Sequence, residues 1–340
     1  MNMSSIIIVD RKRLNRFMQS IRLIVSNAYA YSVYIPKTVS PEAAAILKTF
    51  TKDPNQDPNS PSITDIEGWK KLSDQLCVTR SKQSKQIIDI YKPDISKNII
   101  GNVPVYEVKP ANYVASDKVI VHLHGGFSVY NANATLGSPV LIANATGLKV
   151  ISVDYTKDPF VKWQSATDEV ISVLRELNIS NVILSGESAG GSLGPSSILK
   201  MRDQGLQMPE AVILWSPWTD LTDSGDSYNT LRDEDPIQSY QKHLKIPAIA
   251  YANNTDMKDP YVSPVFGDFK KGFPRTLIQG GTKDIMLSNF IRIFQVLDKA
   301  DIPVKLDLYE GMIHLFQKRM YNTPESNMAL QKVKDFINTT

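Results

Sequence analysis

Hydrophobic positions in the first 85 residues recur at helical spacing. Leu14, Phe17, Met18, Ile21, Ile24 and Val25 fall at i, i+3, i+4 intervals and predict an amphipathic helix with a basic outer face from Arg11, Lys12, Arg13 and Arg16. Ser40-Pro41-Glu42 reads as an N-cap followed by proline at the first helical position, leading a helix over 43–50. Residues 53–61, dense in Pro, Asn and Asp, predict a loop. Thr64-Asp65-Ile66-Glu67 has capping-box spacing, and Ile66, Trp69, Leu72 and Leu76 give the next helix an apolar stripe.

From residue 87 the pattern shortens to β-branched runs. Strands are expected at 87–91, 103–108, 118–123, 148–155, 182–184, 211–214, 276–279 and 304–309. Helices are expected at 164–177, from the Gly-rich turn after 184 to 205, at 288–300 and at 324–336. Strands alternating with helices imply right-handed crossovers and an α/β fold, a mostly parallel sheet covered on both faces. A polar, helix-rich interval between Trp215-Ser216-Pro217 and Asp259-Pro260-Tyr261 breaks the alternation and reads as an insertion over the sheet's carboxyl edge. The expected organisation is a helical cap from residues 1–85 and 218–258 over a catalytic domain of 86–217 and 259–340.

Composition narrows this picture only modestly. With 38 basic against 35 acidic residues the net charge is +3, which gives no argument for a nucleic-acid partner. No apolar run reaches the length of a membrane-spanning helix. The lone Cys77 cannot form an intramolecular disulfide and suits a reducing compartment, so a cytoplasmic location is expected. Ala28-Tyr29-Ala30 after the basic segment is the feature that would instead mark export, although Arg22 interrupts its apolar stretch. A homodimer through an edge strand or helix is compatible with the pattern.

The chemistry centres on Gly186-Glu187-Ser188-Ala189-Gly190-Gly191, a G-x-S-x-G turn between a strand and a helix. Small residues flank Ser188 because the turn brings the backbone on either side close together. A serine hydroxyl needs a base within hydrogen-bond reach and a carboxylate to orient that base. Of the four histidines, His122 lies in a strand, His124 opens a Gly-rich turn and His243 lies in the insertion. His314 follows the last strand, where the base belongs. Between serine and histidine, Asp284 ends a strand and is the preferred acid; Asp259 and Asp220 also lie in the interval and read better as turn and capping residues. Oxyanion donors are expected from Ala189 N–H and from His124-Gly125-Gly126, at the end of an earlier strand.

With these pieces assembled, the chain resembles the bacterial hormone-sensitive-lipase-like carboxylesterases of the α/β-hydrolase fold, over roughly residues 118–316. The likeness rests on His122-Leu123-His124-Gly125-Gly126, Val153-Asp154-Tyr155, the Ser188 turn, Trp215-Ser216-Pro217-Trp218-Thr219-Asp220-Leu221, Asp259-Pro260-Tyr261-Val262-Ser263-Pro264 and Gly311-Met312-Ile313-His314. It implies an eight-stranded sheet with a mostly helical cap and hydrolysis of short- to medium-chain acyl esters without metal or cofactor. The small-molecule ester would be cleaved by Ser188, His314 and Asp284, with Gly125, Gly126 and Ala189 as oxyanion donors. A lactone, amide or acetylated sugar could serve the same machinery, and a catalytically silent ligand-binding fold is the remaining alternative.

Two departures stand out. Phe127 and Ser128 occupy the places where the family has a third small residue and then an aromatic, so Phe127 is expected to crowd the acyl pocket. Thr156-Lys157-Asp158-Pro159-Phe160 replaces the Arg-Leu-Ala-Pro-Glu that generally follows Asp-Tyr, which alters support for the oxyanion loop. Pro195 within the following helix is expected to kink it.

Overall fold

The computed structural model describes residues 31–32, 34–52, 60–127, 129–156 and 161–339. The N-terminal amphipathic helix, the export-signal reading, most of the 53–61 loop, Ser128 and residues 157–160 lie outside the described residues.

The main sheet has eight strands: β1 (Asp94–Ile100), β2 (Val103–Lys109), β3 (Val119–Leu123), β4 (Lys149–Val153), β5 (Val182–Glu187), β6 (Ala211–Trp215), β7 (Arg275–Gly281) and β8 (Val304–Tyr309). Their order is β8-β7-β6-β5-β3-β4-β2-β1, with β1 and β2 antiparallel to their neighbours and the other pairs parallel. The α/β-hydrolase fold with an eight-stranded sheet is therefore the architecture, as the resemblance implied. Tyr31–Ser32 and Thr51–Lys52 form a separate two-residue antiparallel ladder.

The helices are α1 (Pro41–Leu47), α2 (Ile66–Tyr91), α3 (Gly137–Thr146), α4 (Trp163–Arg175), α5 (Gly190–Asp203), α6 (Ser227–Thr230), α7 (Lys245–Ala252), α8 (Leu287–Asp298), α9 (Phe316–Arg319) and α10 (Pro324–Asn338). Neighbouring residues along the central strands face opposite cores, the period-2 consequence of the pleat. Val121, Leu123, Leu184 and Val212 pack with α4, α5 and α8, whereas Ile120, Ile183 and Ile213 pack with the end of α2, α3 and α10. Each such side chain, fully buried, contributes about 1.5–3 kcal/mol. Among the described residues no helix is long and apolar enough to cross a membrane.

Two local expectations are corrected. Residues 87–91 belong to α2, not to a strand: Ile87 continues its buried face, and the preceding turn is held by Ser84 Oγ donating to Ala134 O at 2.8 Å. Lys92, at φ 46°, ends the helix just before Pro93. The first strand follows instead at β1, whose mostly exposed edge residues carry no apolar alternation. The N-cap of α2 is Asp65, which accepts from Gly68 N at 2.9 Å, rather than Thr64. Ser40 caps α1 as its sequence suggests, accepting from Ala43 N at 3.1 Å.

The register aligns the carboxyl ends of the strands. Leu123 of β3 lies opposite Gly186 of β5, Glu187 opposite Trp215 of β6, Trp215 opposite Gln279 of β7, and Gly281 opposite Tyr309 of β8. The chain winds outward from β3 to β4, then crosses back to β5 and winds the other way to β8. Loops leaving β3 and β5 therefore part in opposite directions and open a crevice between them, where ligands bind in such sheets.

Candidate active site

β5 ends at Glu187 and α5 begins at Gly190, so the backbone must reverse within two residues. Ser188 takes up that reversal at φ 52°, a costly left-handed conformation for a residue with a side chain. Its N–H donates to Trp215 O, and its carbonyl accepts from Gly191 and Trp218 N–H, all at 2.9 Å. A Cβ on Gly186 would lie 2.4 Å from Gly190 O, and one on Gly190 would lie 2.1 Å from Leu123 O. Glycine is thus required at both places by close backbone approach, as expected from the sequence.

His314 Nε2 is 3.1 Å from Ser188 Oγ, and its Nδ1 is 2.8 Å from Asp284 Oδ2. Asp284 Oδ1 accepts from Met286 N at 2.9 Å, and both His314 and Asp284 are buried. The series assigns Nδ1–H as donor to Asp284 and leaves Nε2 to accept the serine proton. The loops carrying these residues are laced together: Thr282 N donates to Tyr309 O and Lys283 N to Met312 O, each at 3.0 Å. Leu315 N donates to Ser216 Oγ at 3.0 Å, anchoring the histidine loop to the end of β6.

The other histidines are engaged elsewhere. His122 Nδ1 sits 3.2 Å from Ser185 Oγ inside the sheet, and burial pulls its pKa down to about 4. His124 stacks on Tyr155 at 4.3 Å and is lowered chiefly by burial. His243 Nδ1 accepts from Ser239 N at 3.1 Å. Asp220 pairs with Arg292 and accepts from Thr222 N, and Asp259 accepts from Tyr261 N at 2.8 Å, which are turn-building contacts.

The turn after β3 faces Ser188 closely, since a Cβ on Gly125 would lie 2.9 Å from Ser188 Cβ. Gly126, at φ 80°, packs against Tyr130 so tightly that a Cβ would lie 2.1 Å from the ring. The N–H groups of Gly125, Gly126 and Ala189 have no acceptor among the described residues. Tyr155 OH donates to His124 O at 2.8 Å, and Asp154 accepts from Ala132 N at 2.8 Å, so the Asp154-Tyr155 pair supports this turn. In the altered segment after it, Thr156 N donates to Glu169 at 2.7 Å.

Phe127 is buried, stacks on Tyr251 at 4.0 Å and keeps φ negative. It lines a cavity of about 320 Å³ together with Ser188, Ala189, Trp69 of α2, Trp218 and Leu244. The pocket wall is therefore drawn from α2 and the insertion as well as from the sheet edge. Among the described residues no group of three or more His, Cys, Asp or Glu side chains could hold a metal ion.

Two charged groups escaped the sequence reading. Glu187, beside Ser188, is buried and meets Lys318 Nζ and Ser138 Oγ. Burial pushes its carboxyl up, but the Lys318 and His122 charges and hydrogen bonds from Lys318 and Ser138 outweigh that and hold it at about 2. A charge between an apolar strand and a row of tiny residues was the available signal. Asp235, in what read as a polar, helix-rich insertion, is buried in the field of Asp284: Oδ2 accepts from Ile285 N at 2.9 Å and Oδ1 from Ile237 N at 2.7 Å.

Burial, then the Asp284 charge, pushes the Asp235 carboxyl up to about 6. Between the ordinary carboxyl range and pH 6 the folded state holds this proton and the unfolded state does not. The associated stability is fully present below the ordinary carboxyl pKa and is lost as pH rises through about 6. Relative to Asp235→Asn, the native chain should lose about 2 kcal/mol between mildly acidic and neutral pH. Urea unfolding of both chains at the two pH values measures it; a constant difference would refute the assignment.

Residues 120–318 match the family model described as alpha/beta hydrolase fold. An esterase of Acinetobacter venetianus is 31% identical over 230 residues, covering 65% of this chain and 75% of the relative. An acetyl-hydrolase of Streptomyces hygroscopicus is 27% identical over 252 residues, covering 71% and 81%. Among solved structures, an esterase called E25 superposes with a TM-score of 0.84 at 28% identity, covering 90% of this chain and 96% of its own. A bacterial hormone-sensitive lipase family esterase shares the fold at a TM-score of 0.69 and 21% identity, covering 78% and 97%. The chain belongs to the alpha/beta hydrolase fold family, in agreement with the hormone-sensitive-lipase-like resemblance of its motifs.

Proposed function

We propose that this chain is a serine carboxylesterase that hydrolyses short- to medium-chain acyl esters through Ser188, His314 and Asp284. An ester hydrolase is what its family and its relatives named esterase and acetyl-hydrolase support. The observation that carries the finer reading is the unbroken hydrogen-bonded series from Ser188 Oγ through His314 to Asp284, with Ser188 lining the cavity.

In this reading Ser188 Oγ attacks the ester carbonyl as His314 Nε2 takes its proton, and Asp284 holds the ring and stabilises the imidazolium. The N–H groups of Gly125, Gly126 and Ala189 receive the oxyanion, each worth about 3 kcal/mol by mutational precedent. Collapse of the tetrahedral intermediate returns the proton to the leaving alcohol and leaves an acyl-enzyme. Water, activated by the same histidine, then releases the acid. The proposed division is a catalytic domain of 86–217 and 259–340 under a cap from 1–85 and 218–258, because α2 and the insertion both contribute cavity wall.

The test is the hydrolysis profile over p-nitrophenyl acetate, butyrate, hexanoate, octanoate and laurate, together with fluorophosphonate labelling. A cavity of about 320 Å³ is at the small end of ligand pockets, so kcat/KM should peak at butyrate or hexanoate and fall steeply by laurate. Labelling should modify Ser188. A chain that neither turns over these esters nor reacts with the probe is a silent ligand-binding fold instead.

A further inference from the structure

The cavity above Ser188 is apolar over most of its wall, yet Arg319 also lines it. Arg319 closes α9, five residues after His314, so its position is tied to the loop that carries the base. Its Nε is buried and has no hydrogen-bond partner, and its guanidinium makes no salt bridge among the described residues. Arg319 as a whole is half-buried, and a guanidinium offers five donors in a planar fork and stays charged, so leaving one with its Nε shut off from solvent unanswered is costly.

The surroundings make it less comfortable still. Arg80 of α2 lies close enough to repel it, and Arg80 is itself held by neutral groups, Gln83 Oε1 at 2.7 Å and Tyr130 OH at 3.4 Å. Tyr130 also lines the cavity. Burial, then Arg80, pulls the Arg319 pKa down to about 10, which leaves it a cation at neutral pH. The carboxylates in its field are engaged: Glu187 by Lys318 and Ser138, and Asp235 by the N–H groups of Ile285, Ile237 and Gln238.

We infer that Arg319, with Arg80 beside it, receives a carboxylate carried by the substrate at a distance from the scissile ester. This rests on the esterase reading and narrows its substrate class to amphiphilic monoanions: an apolar spacer against Trp69, Leu72 and Trp218, an ester at Ser188 and a carboxylate on Arg319. A carboxylate matches the fork with two parallel hydrogen bonds and cancels the repulsion between the arginines.

The experiment uses p-nitrophenyl monoesters of straight-chain dicarboxylic acids, with the far carboxyl free or capped as its methyl ester. The readout is the ratio of kcat/KM for free over capped ester at each chain length, in the native chain and in Arg319→Met, Arg319→Gln and Arg319→Lys. At one chain length the native ratio should exceed about tenfold, as for a desolvated charge-assisted pair. It should fall to about one in the Met and Gln variants, chiefly through KM, and return partly in Lys, which keeps the charge but not the fork. A native ratio of one or less at every length, or an unchanged ratio in both neutral variants, overturns the inference.

A second arm is independent of turnover. Trp69 and Trp218 line the cavity, so their fluorescence reports binding of octanoate and octanamide to Ser188→Ala. Tighter binding of octanoate, lost with Arg319→Met, supports the site even if no ester is cleaved, and that pattern would fail the esterase reading alone. Equal binding of the two, with neutral esters still hydrolysed by the native chain, fails the carboxylate site alone.

Discussion

Alanine at Ser188 is expected to lower kcat for p-nitrophenyl butyrate by ~10⁵- to 10⁶-fold, the precedent for removing a serine nucleophile. The physical reason is that His314 Nε2 would lose the Oγ it faces at 3.1 Å, and the other hydroxyls that line the cavity among the described residues, those of Ser60 and Tyr130, make no hydrogen bond to His314. The Gly125, Gly126 and Ala189 donors and the pocket would survive, so a residual rate above the uncatalysed one should persist. Stability should change by less than about 1 kcal/mol, since the turn is held by Ser188 backbone bonds to Trp215, Trp218 and Gly191 rather than by Oγ. Steady-state kinetics of purified native and variant chains, with urea unfolding of both, reads the two quantities. Retention of more than about a thousandth of the native rate would remove Ser188 from its proposed role.

Methionine at Lys318 is expected to destabilise the chain by about 3–5 kcal/mol, the cost of stripping one partner from a buried pair. Glu187 would remain with only Ser138 Oγ at 2.5 Å, in a site where burial already opposes its charge. Its carboxyl would move up from about 2, and the stability it supplies above the ordinary carboxyl pKa would disappear. Pairing the change with Glu187→Gln removes the orphaned charge and should recover most of the loss, because two neutral groups avoid the desolvation penalty. Denaturant unfolding of both single variants and the double variant measures the coupling. Independent, additive losses would show that the pair is not a coupled unit. Activity should follow stability here, since Glu187 directly precedes the strained Ser188.

The central strands were legible because both faces are buried. β5, β6 and β3 are short runs rich in Val and Ile, and tertiary packing agrees with their local preference. The failures sit at the edges. None of the seven residues of β1 is buried, five being exposed and two half-buried, so no burial alternation distinguishes inward from outward positions. Ile87 and Ile88 looked like a strand because a short apolar pair carries no period; a partner helix, reached through Ser84 and Gly137, settled the matter.

The candidate site was unusually readable for a related reason. An α/β sheet delivers its functional groups at strand ends, so chain order plus strand boundaries selects among few candidates, and only four histidines had to be tried. Charges whose character comes from packing were not readable. Glu187, Asp235 and Arg319 are ordinary polar letters in sequence, and each acquires its character from residues far along the chain: Lys318, Ile285 and Arg80.

The sequence by itself determined the sheet-forming segments, the sharp turn at Ser188 and the order serine, aspartate, histidine, because these follow from local sterics and from hydrophobic periodicity. Only the tertiary structure decided that His314 reaches Ser188, that an arginine unpaired among the described residues lines the same cavity, and that the residue before Ser188 is a buried ion. Those facts depend on distances between segments more than a hundred residues apart, and on the desolvation that close packing imposes on them.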